Sequence, residues 1–566
     1  MDKNKKASNI ADKGKNKISK TILALSFLYA FFILFGFSFI ISNSWNLILG
    51  GPLNLILSIF IYSFFVFISY IVLDYLFKKV NNGRLFEGDF QSRFSIINKM
   101  LAAFDKHPFV FSLIFMLIAW LPYIIAYYPI LLNPDSSYQI KQFFGVTNLY
   151  NLFSELIDSN VIITNHHPVI HTLLLGSTLK LGHFFENDNF GLFIYSAIQI
   201  AILSTALSYS IVYLKRIGVS SKYRVIILLI YSILPIYPFY AMTGVKDVIF
   251  SALIVFYIII LHQILLAENK LGKWKYIGIF ILMMMIILFR NNGFHVILLS
   301  FPWLILVNKK LKKELLLILV LVIGFSLSYT KVVLPYFKIT PSSIRESLSI
   351  PFQQTARYVK YYGNEVTLKE QGIIDILLDY ETLADRYKPE ISDPVKNSFN
   401  RFYEDDDLKN YFQVWLKQFI KHPGVYFEAT MNNTYGYFFP LKTNWYIYHN
   451  FNPSITEDGF EYSFNNLGLL RDILYYPTVV LPYIPVLGLA VNIGFHVWLL
   501  IFMTGYMGYR KYYKGIIVFS PALVLVLVCI ASPVNAYYRY ALPFIFSMPL
   551  MIGLFSHIVK KQAGSK

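Results

Sequence analysis

The stretch PVIHTLLLGSTLKLGH, residues 168–183, decides the fold, because its reading sets the side of a membrane on which every later segment lies. It is apolar and ambiguous: it can span, or it can lie in or re-enter the outer interface. The basic residues around it separate these readings, since cytoplasmic loops carry an excess of Lys and Arg. Seven lysines stand in the first twenty residues, which places the N-terminus inside. The loop holding Lys78, Lys79, Arg84, Arg93 and Lys99 then also lies inside, and the third apolar helix emerges outside near Asn133. A spanning 168–183 would put Lys215, Arg216, Lys222 and Arg224 outside and invert the later clusters. An interfacial or re-entrant 168–183 leaves those four inside, together with Lys270/Lys273/Lys275, Lys309/Lys310/Lys312/Lys313, Arg510/Lys511/Lys514 and Lys560/Lys561. One assumption satisfies five loops, so the second reading is adopted, with both termini expected in the cytoplasm.

Working outward, apolar runs near spanning length lie at about 21–42, 52–77, 109–132, 190–214, 224–241, 248–267, 276–289, 294–307, 314–336, 486–508, 515–531 and 541–559. A span takes about 20 residues, with tilt and snorkelling covering shorter runs, so about twelve transmembrane helices are expected. Composition agrees. Of 566 residues, 56% are hydrophobic and 14% charged, against roughly 25% charged in soluble domains. So little polar surface cannot cover a core in water. Aromatic residues, 18% of the chain, include 43 tyrosines, which suit the headgroup level. The run from Thr21 to Ser42 is too long for a signal-peptide core and lacks a small-residue cleavage site, which predicts an uncleaved first helix.

The formal charge of +18 resembles that of a nucleic-acid binder, but its Lys and Arg sit in short runs between apolar segments. No basic stripe is interleaved with a reading motif, so nucleic acid is not an expected partner. Membrane lipid is. The single cysteine, Cys529, lies inside an apolar run, which excludes an intrachain disulfide and a cysteine-based zinc or iron–sulfur site. No Walker motif, Rossmann fingerprint or nucleophile elbow appears in context.

In this topology the polar residues at helix ends gather on the outer side: Asp135, His166, His167, His171, Lys246, Asp247, Arg290, Arg345, Arg357, Tyr538 and Arg539. Snorkelling explains any one of them; a shared face asks for more, because a charge at bilayer depth costs about 2.5–3.5 kcal/mol. Asp135 follows Pro134, which stops the preceding helix. Its carboxylate suits a divalent cation or the proton of an acceptor hydroxyl, and equally a helix cap. His167 and His171, four apart, share a helix face that opens at Pro168. They suit phosphate or substrate contact, structural hydrogen bonding or a metal, without the glutamate of a zincin. Lys246 and Asp247 occupy a short outer turn, either neutralising each other or serving as a phosphate ligand and a second acidic group. Arg290 precedes Asn291-Asn292-Gly293, another outer turn, and Arg345, Arg357 and Arg539 can extend a cationic collar suited to phosphate.

The pattern resembles the GT-C class of membrane glycosyltransferases, which use polyprenyl-phosphate sugars. That class carries a catalytic acidic residue in the first outer loop of a seven-helix core and a larger outer loop after the seventh helix. Asp135 after the third helix, and the polar segment beginning near Tyr336, match if two helices are an N-terminal addition; Asp247 matches an acidic position in the second outer loop of some members. Four stretches also look like a family of bacterial polytopic membrane proteins placed near that class: Asn133-Pro134-Asp135-Ser136, Asn165 to Leu175, Ser349 to Arg357, and Ser532 to Tyr540. Ser136-Ser137 replaces the adjacent Asp-Glu pair of the protein mannosyltransferase type, and Asp247 lacks the Asp-x-Asp of the oligosaccharyltransferase type. Single-carboxylate, metal-independent members are a fair model, with Asp135 and Asp247 the candidate ligands should a divalent cation (Mg or Mn) bind.

The resemblance implies an all-α polytopic membrane protein, a GT-C-like bundle of about twelve helices with an outer interfacial or re-entrant helix and a mainly helical outer subdomain. Its expected parts are a basic tail at 1–20, two added helices and a basic loop at 21–108, and a seven-helix core at 109–336 with a first outer loop at 133–189. The outer subdomain follows at 337–472 and C-terminal helices at 473–566. The expected activity is inverting transfer of a sugar from a polyprenyl-phosphate donor to a polysaccharide, glycolipid or protein acceptor of the cell envelope, at the outer face of a bacterial plasma membrane. Asp135 is the expected catalytic residue; the other outer-side residues named above are expected to bind phosphate or substrate. A lipid-linked saccharide flippase or transporter is the alternative, though it favours charges through the midplane and two similar halves. A membrane O-acyltransferase built on the histidines is the third.

Overall fold

A computed structural model describes residues 19–81, 88, 90, 92–146, 163–442, 447, 454–457 and 460–564. The basic tail up to residue 18, Arg84, and residues 147–162 of the expected first outer loop lie outside the described residues. Among the described residues, eight helices are long and apolar enough to cross a membrane: α1 (Lys20–Ser42), α2 (Pro52–Asn81), α4 (Pro108–Ala126), α7 (Asp188–Arg216), α9 (Lys246–Leu266), α12 (Lys312–Tyr336), α19 (Tyr513–Ile530) and α20 (Tyr538–Gln562). The chain is a polytopic, mainly helical membrane protein. Between these run α3 (Ser95–Lys106), α5 (Pro134–Phe143), α6 (Val169–Phe184), α8 (Ser221–Ile233), α10 (Lys273–Phe289), α11 (Gly293–Val307), α13 (Ser349–Tyr362), α14 (Leu368–Leu377), α15 (Asp405–Lys421), α16 (Pro423–Thr434), α17 (Gly468–Val480) and α18 (Ile493–Tyr509).

Four of the twelve expected spans form shorter helices. The run at 224–241 breaks at Leu234-Pro235, where Leu234 turns extended, while that at 294–307 forms the short helix α11, with Phe301 still helical before Pro302. Proline has no N–H to give the preceding turn and disfavours helix in the residue before it. Helices α10 and α18 have 17 residues each; the expected start of the latter holds a separate 3-10 turn, Leu487–Val491. The only sheet among the described residues is a hairpin, β1 (Ser454–Glu457) antiparallel to β2 (Phe460–Ser463), inside the segment expected to be mainly helical.

The stretch 168–183 falls on α6, Val169–Phe184, and its contacts fix its level. His171, near its start, meets Tyr195 of α7 at 2.7 Å, and His183, near its end, meets Asp188 at the start of α7 at 2.7 Å. Helix α6 therefore flanks only the first third of α7. Gln199, just beyond that third, donates to the carbonyls of Tyr240, Ala241 and Thr243, and Leu131 pairs with Gly244. These residues follow α4 and precede α9, so α6 stands on the far side of that level. Gly182 and Gly191 make the close fit: a Cβ on Gly182 would come 2.8 Å from the Gly191 Cα. Small residues let backbones approach where lipid supplies no hydrophobic drive between helices.

Helices α9 and α20 are the most buried of the eight and pack on each other, whereas α2 exposes almost its whole length. A second core, built from Phe352, Ile374, Leu377, Tyr411 and Tyr426 among others, belongs to residues 348–426 alone. Segment 390–392 docks back on the bundle: Ser392 N donates to Pro533 O at 2.8 Å and Asn535 N to Glu390 O at 2.9 Å.

Candidate functional site

A cavity of about 740 Å³ opens where this second core meets one end of the bundle. Asp135, His166, His167, Lys246, Arg290, Arg345 and Arg539, all anticipated, line it. They come from separate places in the chain, and each is delivered by local structure.

Helix α5 begins at Pro134 and is capped by Asn133, whose Oδ1 accepts from Ser136 N at 2.9 Å. The cap is therefore Asn133, which leaves Asp135 turned to the cavity. There its Oδ2 lies 2.8 Å from Arg539 Nη1. Burial works to raise the Asp135 carboxyl, but Arg539, His167 and Lys246 outweigh it and hold it well below the usual carboxylate range.

The segment carrying His166 and His167 is pinned on both sides. Asn165 N donates to Thr340 O at 2.8 Å, and Asn291 Nδ2 donates to Asn165 O at 2.9 Å. Pro168, expected in the first helical turn, is instead the N-cap position, and neither Thr164 nor Asn165 caps the helix. Lys246 Nζ donates to His167 Nδ1 at 2.8 Å. His166 Nδ1 faces Ser342 Oγ at 3.4 Å and Glu346 Oε1 at 3.9 Å. Burial pulls the His166 imidazole down to about 4, so it is neutral at pH 7.

Lys246 and Asp247 do not neutralise each other. Lys246 turns to His167, while Asp247, fully buried beneath the cavity and not lining it, pairs with Arg290 through Oδ1 and with Arg539 Nε at 3.3 Å through Oδ2. Asp247 thus fixes two arginines from below and does not itself line the cavity. Arg290 lies between the rings of Phe250 and Tyr540, at 5.4 and 5.5 Å. Burial pulls its guanidinium down to about 10, which leaves it charged at neutral pH.

Three expected contacts lie elsewhere. His171 is buried in α6, its Nδ1 2.6 Å from Gln139 Oε1, and it holds α5 to α7 through Gln139 and Tyr195. Arg357 faces away from the cavity, donating to Glu428 Oε2 at 2.5 Å and Tyr387 OH at 2.9 Å. Tyr538 is buried with its ring stacked on Tyr240, and its neighbours Tyr537 and Tyr540 line the cavity instead.

The facing wall, Arg345 apart, went unanticipated. Lys396 donates to Glu346 Oε2 at 2.7 Å and lies 3.0 Å from Asp393, while Arg345 Nε lies 3.1 Å from Glu346 Oε1. Burial raises the Glu346 carboxyl, and Lys396 and His166 bring it below its ordinary value. Charged residues are common throughout the polar segment, so nothing in its pattern singled these out.

Asp135 and Asp247, the candidate ligands for Mg or Mn, are separated by Arg539, which contacts both. A divalent cation bridging them would meet a guanidinium, so this donor set does not fit one. No group of three or more His, Cys, Asp or Glu side chains suited to a metal is present among the described residues.

Eight candidate spans and a polar cavity at one end of the bundle define a polytopic membrane protein with a recessed charged site. The chain belongs to the "Family of unknown function (DUF6020)", whose model matches residues 11–566. No curated protein and no solved structure matches it.

Proposed function

We propose that the chain is an inverting, GT-C-like glycosyltransferase, taking a sugar from a polyprenyl-phosphate donor to a cell-envelope acceptor at the outer face of a bacterial plasma membrane. The observation that carries this reading is the convergence of Asp135, Lys246, Arg290 and Arg539 on one cavity at a bundle end. Two arginines and a lysine lining one recess suit a phosphate that gains charge as the sugar leaves. Ile350, Val528 and Ala531, on the same wall system, offer an apolar margin for the first isoprene units. In the reaction an acceptor hydroxyl oxygen forms a bond to the anomeric carbon from the face opposite the leaving group. The bond from that carbon to the phosphate oxygen breaks, and the electron pair stays with the phosphate. The hydroxyl proton leaves to a base or to water beside Asp135, whose carboxylate attracts it. Lys246 and Arg290 hold the phosphate, and the wall of Arg345, Glu346 and Lys396 faces the acceptor.

In the same reading the shorter helices complete a bundle of about twelve crossings, α6 rests in the outer interface, and both termini are cytoplasmic. The position of α6 beyond the α4–α9 level supports this arrangement. The test supplies purified protein in lipid nanodiscs with polyprenyl-phosphate sugars and envelope acceptors and follows transfer by mass. Asp135→Asn and Lys246→Ala variants that transfer as well as the parent would overturn the proposal.

A further inference from the structure

The opposite surface of the molecule carries its own pattern, in the segment before α4. Helix α3 reads SIINKMLAAFDK, and its side chains divide three ways. Phe104 is buried, with Ile97 and Leu101 half-buried on the same side, so this stripe faces the protein. Ile96 and Met100, one turn apart, are 70% and 44% exposed, and Phe94 just before the helix is 67% exposed. Lys99 and Lys106 form the adjoining exposed edge, preceded by exposed Arg93. The chain leaves helical geometry at His107 (φ −128°, ψ 64°), so α3 does not simply continue α4.

Tertiary contacts enlarge the basic edge. Asp105 is paired with Arg224 at 2.8 Å, its carbonyl accepts from Lys215, and Phe90 N donates to Ser221 Oγ at 3.4 Å. These contacts hold the turn between α7 and α8 against α3 and bring exposed Lys215, Arg216 and Lys222 beside Arg93, Lys99 and Lys106. Asp105, the acid within α3, is already engaged by Arg224. Such a face has two requirements at once: an apolar medium for Phe94, Ile96 and Met100, and negative charge for six cations. A helix with apolar side chains beside a basic edge lies in the headgroup plane, and each Lys or Arg near an anionic surface adds about 1 kcal/mol of attraction. We infer that α3 and the α7–α8 turn form a binding surface for anionic lipid headgroups.

The experiment places an environment-sensitive label on Met100→Cys, an exposed position; Cys529 is buried and stays in place. The labelled protein is reconstituted in phosphatidylcholine nanodiscs containing headgroup-spin-labelled phosphatidylglycerol or phosphatidylcholine. Quenching by the phosphatidylglycerol probe should exceed that by the phosphatidylcholine probe by about threefold. The excess should disappear in a Lys99→Gln/Lys106→Gln/Lys222→Gln variant, whose substitutions are all on the surface and whose monodispersity is checked by size exclusion. Equal quenching by the two probes, quenching by neither, as a covering second copy would give, or an excess that survives the triple substitution would overturn the inference.

Discussion

Arg539 and Arg357 are alike in composition and opposite in use. Each is buried, each lies over two tyrosine rings, and each is paired with carboxylate: Arg539 over Tyr537 and Tyr540 at 5.0 and 5.7 Å, Arg357 over Tyr361 and Tyr387 at 4.7 and 5.7 Å. Around Arg357 the protein closes the network upon itself. Glu428 takes the arginine with one oxygen and Trp45 N with the other, while Asn432, one turn on, donates to Asn43 O at 2.7 Å. The loop after α1 is thereby fastened to α16. Around Arg539 the network ends at a cavity wall, with Asp135 on one side and Asp247 on the other. A charge pair surrounded by protein secures structure; one that borders a recess is available to a ligand.

Exchanging the two arginines' neighbours tests that contrast. The largest effect is expected from Arg539→Ala, which should lower transfer about 10²–10³-fold in single-turnover assays, the scale seen when one preorganised transition-state donor is removed. An equal loss in Arg357→Lys, with folding intact, would break the comparison. Next comes Glu428→Gln, expected to cost about 3–5 kcal/mol because it strands a buried guanidinium. Chemical unfolding should show that loss, with little change in turnover per folded molecule. Lys396→Ala should lower kcat/KM about 10–10²-fold, since hydrogen bonds to charged groups contribute about 1.5–3 kcal/mol. The smallest effect concerns His166. Its folded imidazole sits at about 4 against an ordinary 6.5, so the unfolded chain binds the proton first as pH falls. Stability should therefore be complete above pH 6.5 and decline toward pH 4, and His166→Gln should flatten part of that decline in thermal melts.

Much of this was readable before any coordinates, for identifiable reasons. Long apolar runs declare spans, and Asp135, Lys246, Arg290 and Arg539 stood out because charge at a helix end beside lipid is costly. Proline was the weaker guide: Pro235 lies in a run whose hydropathy continues across it while the helix does not. The wall of Glu346, Asp393 and Lys396 had no such contrast, being polar residues within a polar segment. Arg357 illustrates the converse error. Charge and position are local properties, but which carboxylate meets a guanidinium depends on a residue 71 positions away. Asp247 was recognised as important, and only its depth, beneath the cavity rather than at its edge, separates a group that aims arginines from one that binds substrate.

The sharing of Arg539 has a thermodynamic consequence. Its guanidinium keeps Asp135 ionised, so an anion that drew it aside would raise the proton affinity of that carboxylate. Linkage makes the effect mutual: if anion binding promotes proton uptake at Asp135, then protonating Asp135 strengthens anion binding by the same factor. A single arginine between two acids thus ties the charge state of Asp135 to whatever engages that guanidinium.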